Sequence, residues 1–418
     1  MKKLDYKWRM LILISTMYFL AQGARQIYNA VLPQMKLDFG GSDTNFGLVS
    51  SAFTLVFGLV GPFSGMAADF LHRKWVIITG ALVFSAGIFA CGFADGLLAV
   101  VIAYGVVTAM GQSLMPPSNS SLIGQFHTDT RGTAFAVYQT AIYLGVVCIS
   151  SVSGWFAGLG SGGWRKAFWC VGIVCAVYAL TLVFTLRDSP LPPPDPAKAQ
   201  EKASVREGLM AFFSKPSAWL LTLALGGYFF SMYGFRCWMP KFFSEVFGLS
   251  AAEVGFHSVA WFYLGAFAGV LLAGRLSDRL KKRRPAIRFE TEMAGIALCV
   301  PFILAMAYAP TMPLMCAAVA AFGFATGVYD SNLYAALLDV VNPRYRAVSV
   351  GIFGLGGCIF GACGPAVMGF LNEFFKGVTN GSVQAAMRLS FAASAGAAAL
   401  GLLAIVIARF FFFTRDSR

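Results

Sequence analysis

Gly65-Met66-Ala67-Ala68-Asp69-Phe70-Leu71-His72-Arg73-Lys74 and Gly274-Arg275-Leu276-Ser277-Asp278-Arg279-Leu280-Lys281-Lys282-Arg283 share one pattern: a glycine, an aspartate four residues on, and a base four after that. Each copy closes a long apolar stretch. The glycine lets a neighbouring helix approach, and the aspartate at the helix end can pair with the bases around it, making a latch that breaks and re-forms. The copies lie 209 residues apart (274 − 65), half of the 418-residue chain, so the two halves are expected to be structural repeats.

Outward from these signatures the chain is strongly apolar. Hydrophobic residues make up 58% and charged residues 12%, where an ordinary soluble domain carries roughly 25% charged residues. The mean hydropathy of +0.69 is too high to come from a single anchor. Runs without charge extend over Thr44–Ala68, Gly132–Trp164, Met293–Tyr329 and Ala347–Asn372, and the third, broken by Pro301, Pro310 and Pro313, supplies parts of two helices. Alternating apolar and polar ten-residue segments are absent, which argues against an outer-membrane barrel. The reading is an all-α membrane protein with twelve spans: 8–34, 44–69, 73–94, 97–119, 131–157, 164–187, 216–243, 251–277, 287–309, 312–338, 346–373 and 382–413.

Orientation follows from the bases. Sorted by connection, 24 Lys and Arg fall on the side of the termini and the even-numbered loops and 6 on the other (Lys36, Arg165, Lys166, Lys241, Lys376, Arg388), with Arg25 and Arg236 inside spans. The basic side is expected in the cytoplasm of a cell (inner) membrane, with both termini there. That bias accounts for the net charge of +13 and for attraction to anionic lipid, and the Lys281–Arg284 run reads as a stop signal rather than a nucleic-acid site. No cleavable signal peptide is evident. The nine cysteines, mostly within spans, show no disulfide or zinc spacing, and no nucleotide loop, catalytic triad, metal site or cofactor motif is found; an enzyme is not expected, and energy is expected to come from gradients.

Between the sixth and seventh spans, Arg187-Asp188-Ser189-Pro190-Leu191-Pro192-Pro193-Pro194-Asp195-Pro196 opens a stretch to Lys215 with the composition of a semi-rigid tether. Domains are therefore expected at 1–187 and 216–418, joined by a linker over 188–215. With the duplicated motif and twelve spans, the chain resembles the major facilitator superfamily. The resemblance implies two six-helix bundles that rock about a midplane site, with helices 1, 4, 7 and 10 lining the cavity and 2, 5, 8 and 11 meeting between halves. It also implies cytoplasmic latches from Asp69, Arg73, Arg131, Asp278, Lys282 and Arg346. Glycine pairs at Gly61/Gly65, Gly154/Gly158, Gly265/Gly269 and Gly357/Gly361 fall on the helices expected to slide against each other.

An ionisable side chain at the bilayer centre costs roughly 2.5–3.5 kcal/mol on insertion scales, so each asks for a partner or a wet cavity. Three stand out: Arg25, Arg236 and Asp330. Arg25 precedes Pro33 by eight residues and Arg236 precedes Pro240 by four; if the prolines correspond, the arginines differ by about one turn, roughly 40° off a common face. Two guanidiniums suit a carboxylate or phosphate; the alternative is that each snorkels to the outer interface. Asp330 is either a proton-coupling acid or a structural counter-ion. Tyr28, Asn29, Gln112, Tyr138, Gln139 and Tyr334 are candidate substrate contacts, with Asn119, Tyr143, Tyr329 and Asn332 nearby, each alternatively an interhelical hydrogen bond.

Arg25 with Pro33, Trp238-Met239-Pro240, Arg131-Gly132 and Leu186-Arg187-Asp188-Ser189-Pro190 look like the organophosphate:phosphate antiporters and related anion:cation symporters, which implies that Arg25 is the anion-binding arginine. The chain departs from the antiporters where Gln26 replaces a lysine, Met232 an arginine and Ile142 a histidine. Less positive charge favours a sugar acid or other carboxylate over a phosphate ester, taken up with a proton, or with sodium, by a monomer. The runner-up is a cationic, neutral or lipid-like substrate, and a transporter-like membrane sensor is a third reading.

Overall fold

Apolar runs of 19 to 34 residues bounded by short polar turns leave a chain in lipid one economical way to satisfy its backbone, the helix, and that is what it forms. The computed structural model describes residues 5–187, 205–281, 283–284, 286–342 and 345–416; within these, the side chains of Asp69, Phe70, Arg131, Gly132, Val205, Arg346 and Ala347 are outside the description. The helices are α1 (Tyr6–Arg25), α2 (Ile27–Phe39), α3 (Asp43–Phe70), α4 (Arg73–Cys91), α5 (Leu97–Phe126), α6 (Arg131–Ala157), α7 (Gly163–Thr185), α8 (Val205–Phe213), α9 (Pro216–Phe247), α10 (Ala251–His257), α11 (Ala260–Leu280), α12 (Ile287–Tyr308), α13 (Met312–Asp330), α14 (Leu333–Val340), α15 (Arg346–Val378) and α16 (Val383–Asp416). Eleven spans among the described residues are long and apolar enough to cross a membrane.

The expected first span, 8–34, is not one helix but two. It breaks at Gln26, whose N–H turns back to the Gly23 carbonyl at 2.9 Å. The Arg25 carbonyl accepts from the Tyr104 hydroxyl at 2.7 Å, and the Gln26 side chain accepts from Asn29 at 2.9 Å. The Tyr104 hydroxyl thus serves the Arg25 carbonyl at the break. The expected tenth span, 312–338, is also divided, into α13 and α14. Ser331 donates to the Val328 carbonyl at 2.7 Å, and Asn332 accepts from Ser277 of α11 at 3.1 Å. Short polar side chains that bond locally compete with helix continuation.

The chain packs as two units. The first contains described residues of Met1–Gly41, Leu48–Pro193 and Gly248–Val259; the second those of Ser42–Gly47, Pro194–Phe247 and Ala260–Arg418. The core of the first holds Trp164, Phe84, Phe168 and Tyr28, and that of the second Trp238, Tyr329, Phe242 and Phe289, all fully buried. In the first unit α10 lies on α6 through facing glycines: a Cβ on Gly154 would strike the Ala251 carbonyl, and one on Gly255 would strike Ser150. The other glycine pairs behave differently from expectation. Gly265 and Gly269 abut α13, and Gly357 and Gly361 abut α9, all inside the second unit, while Gly61 and Gly65 meet nothing within 4 Å. Gly265, Gly269, Gly357 and Gly361 are thus packing glycines within the second unit. Of the expected linker, 188–204 lies outside the described residues, and Val205–Phe213 is the helix α8.

Candidate functional site

In the first unit Tyr18, Gln22 and Arg25 share one face of α1 at i, i+4 and i+7. Tyr18 is hydrogen-bonded with Gln22 and interacts electrostatically with Arg25. Its ring stacks on Tyr138 of α6, centroids 5.0 Å apart, and the Tyr138 hydroxyl accepts from Asn119 of α5 at 2.9 Å. The Arg25 guanidinium, half-buried, lies 4.5 Å from the Phe53 ring centroid and 5.7 Å from that of Phe57.

The remaining candidates on this side divide into two kinds. Tyr28 is buried against Tyr104 at 4.9 Å, and Asn29 bridges Gln26 and Ser50, so both shape the α1/α2 break. Gln112 is fully buried with neither amide atom hydrogen-bonded, and Asn119 keeps an unpartnered oxygen. Gln139 is exposed and takes no part in the cluster around Tyr138.

In the second unit the Tyr228 hydroxyl of α9 donates to Asp330 Oδ1 at 3.0 Å, and the Tyr228 and Tyr329 rings lie 4.4 Å apart. Two turns along α9, Arg236 lies 5.4 Å from the Tyr263 ring and 5.6 Å from Phe262. Its Nε is buried without a hydrogen bond; Asp330 acts on it electrostatically, but the carboxylate's hydrogen bond goes to Tyr228. Asp330 ends α13 inside the span Met312–Val340 and is nonetheless exposed. A carboxylate in that position is stable facing water, not acyl chains. Tyr334 is also exposed, edge-on to Phe353 at 6.1 Å.

Among the expected latch residues, Arg73 is buried at the start of α4 and donates to the Ala68 carbonyl at 3.2 Å, and Asp278 is exposed near the end of α11. Asp69, Arg131 and Arg346 have side chains outside the described set, and Lys282 lies outside the described residues.

Two buried charged features were not singled out by sequence. Lys241 is one of the six bases of the less basic side, yet it is only 7% exposed and pairs with Asp43, itself 4% exposed, at 2.5 Å. Asn372 donates to the same carboxylate at 3.2 Å, and Glu373 accepts from the Asp43 N–H at 2.6 Å and from Thr44 at 2.7 Å. This cluster holds segment 42–47 within the second unit. The other is Glu292 of α12, fully buried with both carboxylate oxygens unpartnered, so the count of three unusual membrane charges is corrected to include it. Both features abut charge-free runs, Asp43 just before Thr44 and outside the expected span 44–69, Glu292 just before Met293 near the start of the expected span 287–309.

With this geometry in hand, the profile of the Major Facilitator Superfamily matches residues 14–303 and 258–418. The chain belongs to the major facilitator superfamily. It is 25% identical over 371 residues to the "Probable sulfoacetate transporter" of Cupriavidus necator, covering 85% of each chain. It is 27% identical over 351 residues to an "MFS-type efflux pump" of Mycolicibacterium smegmatis, covering 81% of this chain and 78% of the other. Among solved structures, an inward-facing, unoccupied bacterial homologue of the human lysosomal transporter Spinster superposes with a TM-score of 0.82 at 24% identity, over 99% of this chain and 97% of that one. A multi-pass membrane transporter of the major facilitator fold, not an enzyme, is the activity class of this superfamily member.

Proposed function

We propose that this transporter moves a small organic anion, a sugar acid or other carboxylate rather than a phosphate ester, by alternating access, with proton-coupled uptake across the cell membrane and both termini in the cytoplasm. Arg25 and Arg236 bind the anion and Asp330 carries the proton. The observation that carries the reading is Arg236: a guanidinium kept among aromatic rings inside a membrane protein, with Nε–H unfilled while the neighbouring carboxylate is bonded to a tyrosine. An unfilled buried donor costs about 1–3 kcal/mol, which an arriving carboxylate would recover. Arg25, beside the Phe53 ring, places a second guanidinium on the other unit. The sulfoacetate relative supports an anionic cargo.

A thermal-shift screen of purified protein against sugar acids, dicarboxylates, phosphate esters and organic cations tests this, because a ligand that binds the folded state raises its midpoint. Stabilisation by a carboxylate, lost in both Arg25→Lys and Arg236→Lys, is expected. Stabilisation by organic cations alone overturns it and favours the second reading, a cationic, neutral or lipid-like cargo, for which the exposed Asp330 and the Tyr228–Tyr329 ring pair speak.

A further inference from the structure

Glu292 is the buried acid that the transport reading does not use. It stands one turn from Gly295, where α12 comes so close to α13 that a Cβ would lie 2.6 Å from the Tyr329 N–H nitrogen. The charged and titratable groups around it can be enumerated by helix. From α13 there are Tyr329, whose buried hydroxyl is likewise unpartnered, and Asp330; from α14, Asp339. The cations of the neighbourhood are engaged by other carboxylates: Lys281 and Arg288 by Asp339, the latter at 3.0 Å, and Arg409 of α16 by Glu290 at 2.9 Å. On α12 itself the other groups are Arg288, Glu290, Cys299 and, at the far end, Tyr308. The charges that act on Glu292 are therefore both negative.

An ionised carboxylate with no hydrogen bond, no counter-cation and two acidic neighbours is disfavoured inside a membrane span, so the neutral acid is the resting form and the proton is held until the surroundings change. We propose that Glu292 is a second proton-carrying acid of the transporter, paired with Asp330 across Tyr329 and Tyr228. This rests on the reading of Asp330 as the coupling acid. Tyr228 already donates to Asp330, and its ring contacts that of Tyr329, which interacts electrostatically with Glu292. A proton passing from Glu292 to Asp330 would break the O–H bond on Glu292 and form one on Asp330; the Tyr329 hydroxyl, unpartnered at rest, would have to turn to bridge the gap to Tyr228. The net charge of the pair is conserved, and the proton moves from a fully buried acid to one that meets water.

Infrared spectroscopy of the purified full-length protein, with no cargo present, tests the proposal through the protonated-carboxyl C=O stretch. In mildly acidic buffer the wild type and Asp330→Asn should both show a buried carboxylic-acid band that is absent from Glu292→Gln and displaced in Glu292→Asp. The band should be lost reversibly in alkaline buffer. A spectrum unchanged by Glu292→Gln, or a Glu292 band that persists in alkaline buffer as a permanently neutral packing group would, overturns the proposal. Glu292→Asp keeps the readout if the amide variant fails to fold. Because the measurement uses no cargo, failure of the anion reading and failure of this one are separately visible.

Discussion

Replacing Lys241 by methionine tests the buried ion pair with Asp43 in the second unit. The substitution removes the ammonium while filling similar volume, and leaves the Asp43 carboxylate, 4% exposed, with the Asn372 amide at 3.2 Å as a remaining hydrogen bond. Breaking a buried pair by removing one partner typically costs about 3–5 kcal/mol. The surviving Asn372 bond puts the expectation at the lower end, about 3 kcal/mol, which lowers the thermal midpoint by roughly 6–12 °C at 2–4 °C per kcal/mol for a unit of this size. Lys241→Met together with Asp43→Asn removes both charges and should recover most of the loss, since a buried pair replaced as a whole is often nearly neutral. The assay is thermal unfolding of the detergent-purified protein through the full cycle of single and double variants. A wild-type midpoint for Lys241→Met, or a double variant no better than the single, would refute the reasoning.

Asp330→Asn should abolish gradient-driven accumulation while leaving cargo exchange intact in proteoliposomes; loss of both with a normally folded protein would make Asp330 a cargo or structural residue instead. Outside the spans, the hydrogen bonds from Lys7 at 2.9 and 3.1 Å hold the Asp129 carboxyl below the usual carboxylate range. A depressed folded-state value contributes stability above the unfolded value, about 3.9, that is lost as pH falls through the folded one. Wild type and Asp129→Asn should therefore differ in thermal midpoint at neutral pH and converge in acid. The difference should be small and shrink with salt because the pair is solvent-exposed.

Most of the architecture was legible because its cause is repeated along the chain. Apolar runs fix the spans, and the Gly65–Lys74 and Gly274–Arg283 copies announce the duplication. The helix breaks at Gln26 and Ser331-Asn332 were not legible, since hydropathy averages over a window and registers neither the Tyr104 hydroxyl on the Arg25 carbonyl nor Ser277 on Asn332. In the candidate site, Arg25, Arg236, Asp330 and Tyr138 stood out as polar groups on apolar helices. Tyr18 and Tyr228 did not, because a tyrosine in a span is unremarkable until its hydroxyl partner is known, and Tyr228 matters only through Asp330 from a helix about a hundred residues away. Asp43 and Glu292 were hidden by their position at the margins of charge-free runs, and Lys241 by its place among the bases counted on the less basic side.

The central claim is that guanidinium groups are held inside this transporter for an anionic cargo. Counterflow of labelled hexuronate and sulfoacetate into proteoliposomes, compared between wild type and Arg25→Lys, addresses it most directly. The account predicts trans-stimulated exchange in the wild type and a loss of about 10–100-fold in Arg25→Lys, since lysine keeps the charge but not the forked contact, worth ~1.5–3 kcal/mol. Exchange by Arg25→Lys at the wild-type rate, or counterflow by the wild type with organic cations and with neither anion, would contradict it.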